Sequence, residues 1–293
     1  MCKGEVWMRT TGIVTDSHSS ISQSEAEKLG IFVLPMPFYM NGTCYYEGIN
    51  ITREEFLDRL CRLEDISTSQ PSPEAVMELW DKALSQYKDI LYIPISSGLS
   101  GSCQTAMMLA DDYDGKVQVV NNQRVSITQI ASIADAQKLI AAGKTAAEVK
   151  EVLEKEALQS SIYVTVTTLK YLKKGGRITP AAAALGTMLR LKPVLQIHGE
   201  KLDAFAKVRT MNAAKRTMID AIRSDLENCF AGQEMRLDVA HTNNKEAALE
   251  FVKELEAEFP GYQVQRVDEL SLSVACHIGD GCLAVACSRV VEV

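Results

Sequence analysis

The sequence predicts two layered α/β domains, and three observations carry that expectation. Residues 11–160 alternate short apolar runs with helical patterns, as strands paired under a cover of helices do. Beyond residue 160 the strands alternate apolar and polar positions more strictly, the pattern of a mixed or antiparallel sheet. The chain has 293 residues and is 46% hydrophobic, enough to bury a sizeable core in each of two units. The first domain, residues 10–160, is expected to be Rossmann-like with a mostly parallel sheet, and the second, residues 161–293, to hold the mixed sheet. Their boundary is soft, and the chain is free to cross between them more than once.

In chain order, GIVTD at 12–16 reads as a strand leading into a helix near 22–29. IFVLPMPFYM at 31–40 meets TCYYEG at 43–48 across Asn41-Gly42, a pair suited to a two-residue hairpin. Thr52 with Glu55 makes a capping pair ahead of EFLDRLCRL. Ser72-Pro73 opens a helix through EAVMELWDKAL, with proline at its tolerated first position. DILYIPI and VQVVN read as buried strands, the latter followed by a helix over 125–142, and Thr145 with Glu148 starts another. SIYVTVTTL begins the second domain. Residues 170–209 are rich in Gly, Ala, Lys and Arg, and their end, AKVRT, reads as a loop before the helix TMNAAKRTMIDAIRSDL. That helix keeps positions 211, 214, 218 and 222 apolar on one face. MRLDVAH, YQVQRV and CLAVAC read as strands, with a long helix over 244–258 between the first two.

Composition removes several function classes. The net charge is -7 and the Lys and Arg residues are scattered, so the basic stripe that a nucleic-acid partner requires is missing. The weakly polar run AAAALGTML is cut by Arg190 and falls short of the roughly 20 residues of a membrane span. No signal-peptide pattern opens the chain, and a cytoplasmic protein is expected. The eight cysteines form no CxxC pair and have no histidine at a zinc-ligand spacing, so they read as reduced core thiols with no metal.

The candidate chemistry begins at YIPISSGLSGSCQTAMMLA, residues 92–110, where a strand ends in Ser96, Ser97, Ser100 and Ser102 with Gly98 and Gly101 among them. One serine suffices to cap a helix. The surplus hydroxyls, with free amides at a helix N-terminus, suit a carboxylate or phosphate. GLSGS also approaches the G-x-S-x-G nucleophile elbow, but Ser102 stands where the second glycine belongs. With Asp238, His241 and His277 downstream, a serine acyl hydrolase acting through Ser100 stays as an alternative. ISTSQPSP sets Thr68 and Ser69 at the end of an extended segment, as turn residues or as a second set of ligands, and TDSHSS does the same for Asp16 and Ser17. Three such edges describe one crevice at the carboxyl ends of a sheet.

LKYLKKGGRITP places Gly176 beside Arg177, whose guanidinium fork fits a carboxylate. It matches neither nucleotide-cradle pattern, so no ATP site is expected. VACHIGDGCLAVAC places His277 in a glycine-flanked turn before a strand, where it is free to donate a hydrogen bond; His18, His198 and His241 have less in their favour. Lys207 and Arg209 are either surface charge or contacts for a phosphate or an acidic partner.

Together, IVTDS, TSQPSP, PISSGLSGSCQTA, LKKGGRI, LKPVLQI with KVRT, and HIGDGCLAV stand in the order and spacing of the DegV family, which the chain resembles from about residue 11 onward. That family includes the fatty-acid-binding subunits of bacterial fatty acid kinase. The resemblance implies a DegV-like two-domain protein holding one long-chain fatty acid, its tail in an apolar tunnel and its carboxylate at the domain junction. It places Thr68, Ser100 with Ser97 as neighbour, Arg177 and His277 around the head group and turns Arg209 toward the kinase; by their position in the sequence Gly101 joins the head-group set, Asp16, Ser17, Ser69 and Gly176 support it, and Lys207 joins Arg209. It implies no cofactor besides the bound fatty acid and no independent catalysis. A separate fatty acid kinase catalytic subunit supplies nucleotide and metal, and acyltransferases receive the acyl phosphate for phospholipid synthesis.

Asp280, Ala284, Ser102 and Ala206 depart from the family pattern, where proline, glycine, threonine and glycine are usual. They leave the His277 loop and the kinase surface open. Ala181–Ala184, Gly186, Met188 and Leu189 either flank the tunnel or form an Ala-rich helix packed on a sheet. At about 0.8 kcal/mol per buried methylene, about fifteen of them contribute on the order of 12 kcal/mol before association costs. The carboxylate, by contrast, tolerates burial only among donors and a cation. A binding module for another anionic amphiphile is the remaining alternative.

Overall fold

The computed structural model describes residues 9–62, 64–185 and 191–292. Strands β1 (Arg9–Asp16), β2 (Phe32–Leu34), β6 (Tyr87–Ile93) and β7 (Val117–Val119) form a fully parallel sheet in the order β2-β1-β6-β7. Between β1 and β2 runs α1 (Gln23–Leu29), capped by Ser22. The chain leaves β1 toward β2 on one side and reaches β6 on the other, which makes the carboxyl ends of β1 and β6 a topological switch point. The segments after the strands meet there: the Ile95 amide donates to Asp16 Oδ2 at 2.8 Å and the Ser96 amide to the Arg124 carbonyl at 2.8 Å.

A small antiparallel sheet, β3 (Phe38–Met40), β4 (Thr43–Tyr45) and β5 (Ile66–Thr68), grows out of the run after β2. Asn41 and Gly42, at φ 49° and 80°, close its hairpin as their left-handed preference dictates. Helix α2 (Arg53–Cys61) lies between β4 and β5. Helices α3 (Pro73–Leu84), α4 (Ser102–Ala110), α5 (Ile127–Ala141) and α6 (Ala146–Lys155) complete this half, and Thr145 with Glu148 makes a full capping box on α6. Trp80 on α3, fully buried, packs edge-on to Tyr92 of β6 at 5.5 Å.

Beyond residue 160, β8 (Ser160–Thr165), β9 (Lys192–Ile197), β10 (Leu202–Val208), β11 (Met235–His241), β12 (Val264–Glu269) and β13 (Leu283–Arg289) form a mixed sheet in the order β10-β9-β8-β13-β11-β12. Only the β11–β12 pair is parallel. Period-2 alternation splits its faces. Tyr163, Leu237, Val239, Leu283 and Val285 pack under α9 (Met211–Ser224) and α10 (Lys245–Glu258). Ile162, Val164, Ile197, Ala240 and Ala284 turn the other way, toward Ile95, Val125 and Ile127 of the first half. Helix α5, buried along most of its length, packs against both sheets.

Three expectations need correction. AKVRT is not a loop: Ala204–Val208 continues β10, an edge strand antiparallel to β9, so Lys207 sits on a strand and Arg209 just beyond it. His277 is not on a turn but in the last turn of α11 (Leu272–Ile278). So short a helix depends on packing, here of Leu272, Ala275 and Cys276 on Phe38, Phe56 and Leu60, so the C-terminal chain shares a core with residues 38–66. The cysteines are not all core: Cys103, Cys276, Cys282 and Cys287 are buried, whereas Cys61 and Cys229 are exposed. The remaining helices, α7 (Lys170–Gly175) and α8 (Pro180–Leu185), lie between β8 and β9. Among the described residues no helix is long and apolar enough to cross a membrane.

Candidate functional site

A cavity of about 290 Å³ lies between the switch point of the parallel sheet and the inner face of the mixed sheet. Ile162, Val164, Ile197, Ala240 and Ala284 form one wall and Ile95, Val125 and Ile127 the other. The two alanines leave room that larger side chains would fill. The polar lining includes Thr68, Ser69, Ser100, Gly101, Arg177 and His277, drawn from four separate segments.

Thr68 ends β5, and its Oγ1 lies 2.9 Å from His277 Nε2. Gly175, at the end of α7, backs the same imidazole so closely that a Cβ there would stand 2.1 Å from Nδ1; only glycine fits. Burial first, then the positive charge of Arg177 and the repulsion that His277 would meet from His18 if both rings were protonated, push the His277 pKa down to about 4, so at neutral pH this ring is uncharged.

Ser100 lies in a loop curled around the Ser96 carbonyl, which accepts from the Leu99 and Ser100 amides at 3.0 and 3.1 Å. Its hydroxyl is 2.9 Å from that of Ser102 and accepts from the Ser102 amide at 3.3 Å. The amides of Gly101 and Cys103, at the start of α4, have no hydrogen-bond partner among the described residues. Arg177 joins the halves: its Nε donates to the Leu99 carbonyl at 3.2 Å and its Nη1 to the Gly175 carbonyl. Among the described residues no carboxylate pairs with it.

The other expected residues lie elsewhere. Ser97 does not line the cavity; its carbonyl accepts from Gln104 Nε2 at 3.4 Å. Asp16 is fully buried beneath the lining, Ser17 Oγ accepts from the Met36 amide at 3.0 Å, and Gly176, at φ 68°, ends α7. Lys207 and Arg209 are exposed on the β10 edge. Ala181–Ala184 do not line the cavity, and Gly186, Met188 and Leu189 lie outside the described residues. Among the described residues no hydrogen bond joins Ser100 to a histidine; the imidazole of His241 instead accepts at Nδ1 from the Asn244 amide at 3.3 Å. His18, Gln70 and Ser126 line the cavity although sequence reasoning did not single them out. Of the positions that depart from the family pattern, Ala284 is a cavity wall, and Asp280 lies between Gly279 and Gly281, at φ 79° and 74°.

Comparison with known proteins places these features in a family. The family model described as "Uncharacterised protein, DegV family" matches residues 10–290. A DegV domain-containing protein of Deinococcus radiodurans is 31% identical over 212 residues, 72% of this chain and 75% of its own length. The structure of a DegV family protein from Thermus thermophilus, described for its fatty acid binding, superposes with a TM-score of 0.86 at 30% identity, covering 96% of this chain and 99% of that one. DegV of Bacillus subtilis, described as a fatty acid binding protein, gives 0.82 at 25% identity over 96% and 99% of the two chains.

Proposed function

This chain belongs to the DegV family, and from that premise we propose that it binds a long-chain fatty acid between its two domains, 10–160 and 161–293. The carboxylate is held by the hydroxyls of Thr68 and Ser100, the Gly101 amide and Arg177, with His277 orienting Thr68. The tail lies along the aliphatic walls. The observation that carries this reading is the asymmetry of one cavity: a guanidinium that no carboxylate among the described residues pairs with, and aliphatic side chains over much of the rest. An amphiphile with a single anionic head complements both parts.

The protein is then a carrier rather than an independent catalyst. It presents the carboxylate to a separate ATP-dependent kinase, which docks over the exposed Lys207 and Arg209, and passes the acyl phosphate to acyltransferases of phospholipid synthesis. The sequence lacks a phosphate-cradling loop of either standard pattern, which supports a phosphoryl donor bound by the partner. Native mass spectrometry of freshly purified protein tests the binding step. A co-purified fatty acid in one-to-one ratio is expected, and a different anionic amphiphile would redirect the assignment. Labelling by a fluorophosphonate probe, lost in Ser100→Ala, would instead establish a serine hydrolase.

A further inference from the structure

His18 is a titratable group of the cavity that the head-group set leaves out. It occupies the 3-10 turn Ser17–Ser19 after β1, is 8% exposed, and lines the cavity. Its surroundings fix its tautomer. Asp16 accepts from the amides of His18 and Ile95 at 3.0 and 2.8 Å and from Gln129 Nε2 at 3.2 Å. A carboxylate so surrounded by donors acts as an acceptor, so the ring nitrogen Nδ1, 3.1 Å from Asp16 Oδ1, carries the hydrogen. In the neutral ring that leaves Nε2 as the lone pair. It has no partner among the described residues and is not sealed in by protein, so it opens on the cavity.

A lone pair facing a carboxylate repels it unless a proton lies between them. We propose that His18, oriented by Asp16, is a further head-group ligand that takes up a proton as the fatty acid binds. A solvent or buffer acid's bond to hydrogen breaks as an N–H bond forms at Nε2, and the carboxylate accepts from the imidazolium. This inference rests on the fatty-acid reading above. Charge balance supports it. The charged and titratable groups around His18 are Asp16 below it, His277 from α11 and Arg177 across the cavity, with uncharged Gln129 of α5 bonded to Asp16. Arg177 and Asp16 form no ion pair, but between them the free site carries one charge of each sign. With the ligand, two cations (Arg177, His18) face two anions (Asp16, the carboxylate), so a buried site stays neutral in both states, where an extra anion would be costly. His277, its Nε2 taken by Thr68 and its Nδ1 enclosed against Gly175, is not available for this exchange.

Stearate arrives from solution as its anion, without the proton, so the one that ends on Nε2 is taken from the solvent as the ligand binds. Calorimetric titration of delipidated full-length protein at pH 8, in two buffers of different ionisation heat, is expected to show uptake approaching one proton per stearate in the wild type and near zero in His18→Gln. The affinity of the wild type relative to the variant should fall by about tenfold per pH unit above pH 8. Nitrogen-15 NMR of the wild type alone gives a readout independent of the variant's folding: the Nε2 signal should move from the lone-pair to the protonated range when stearate binds. Stearate bound without proton uptake, equal uptake in His18→Gln, or an unmoved Nε2 signal overturns the proposal and leaves the fatty-acid reading standing. Failure of the wild type to bind stearate overturns both.

Discussion

Arg236 and Arg177 both join the two halves of the molecule, and they differ in what answers their charge. Arg236 on β11 is 5% exposed and donates to the Ala131 carbonyl at 3.1 Å and to Asp135 Oδ1 at 2.5 Å, both on α5. Among the described residues Arg177 donates to the carbonyls of Leu99 and Gly175 alone, and it fronts the cavity. A buried charge is tolerable only when compensated. The first arginine finds its counter-charge within the chain and is structural. The second is half answered, and what completes it must come from outside.

Breaking the closed pair should have the largest effect. Arg236→Met takes from buried Asp135 its hydrogen-bonded partner and leaves buried Arg124 as its remaining cationic neighbour, and about 3–5 kcal/mol of stability should be lost in denaturant titration. The double variant Arg236→Met with Asp135→Leu should recover only part of it, since Asp135 is also a counter-charge of the buried Arg124. The protein that remains folded should hold its fatty acid as before. A loss confined to ligand affinity would erase the distinction between the arginines.

Arg177→Met is the converse. Removing a cation that no carboxylate answers should change stability little, while stearate affinity falls by about 10- to 100-fold, the worth of a hydrogen bond to a charged group at roughly 1.5–3 kcal/mol. Fluorescent fatty-acid displacement measures it. Unchanged affinity would remove Arg177 from the head-group site. Thr68→Val sharpens the contrast at a neutral donor, where about tenfold weaker binding is expected from one uncharged hydrogen bond.

How much of this was legible in the sequence depends on whether a residue's role had a local signal. Ser100 follows a strand among more hydroxyls than a cap needs, and Arg177 follows a diglycine, so both stood out before any fold was known. The parallel sheet was equally plain, because β6 ends in the apolar run ILYI and β1 carries Ile13 and Val14 ahead of a polar strand end. The β9–β10 hairpin was not: it turns at HGEK, with Gly199 at φ 96°, rather than at an Asn-Gly pair, and its edge strand exposes Phe205. Helix α11 was missed because seven residues with a central Val-Ala-Cys carry little helical signal, and its stability comes from the small sheet it packs on. His18 is a lone histidine in a polar run, and only the turn that folds it back onto Asp16 and over the cavity gives it meaning.

The smallest expected effect is electrostatic and bears on Arg177 again. His277 titrates near 4 instead of its ordinary 6.5, chiefly through burial and secondly through Arg177. Its folded value lies below its unfolded one, so between those limits the unfolded chain binds a proton that the native state refuses. Stability from this group is therefore complete above about pH 6.5 and is lost as the pH falls toward 4. Asp238 has the opposite sign: burial raises it to about 7 from 3.8, so its contribution declines as the pH rises through that range. The two partly offset each other in melting curves of the wild type, and Asp238→Asn should expose the acid-side loss due to His277. In Arg177→Met, proton NMR should show the His277 titration moved upward but still below 6.5, because burial, the larger cause, remains. An unmoved titration would mean that the cavity's uncompensated cation does not reach the imidazole, and the contrast with Arg236 would then rest on ligand affinity alone.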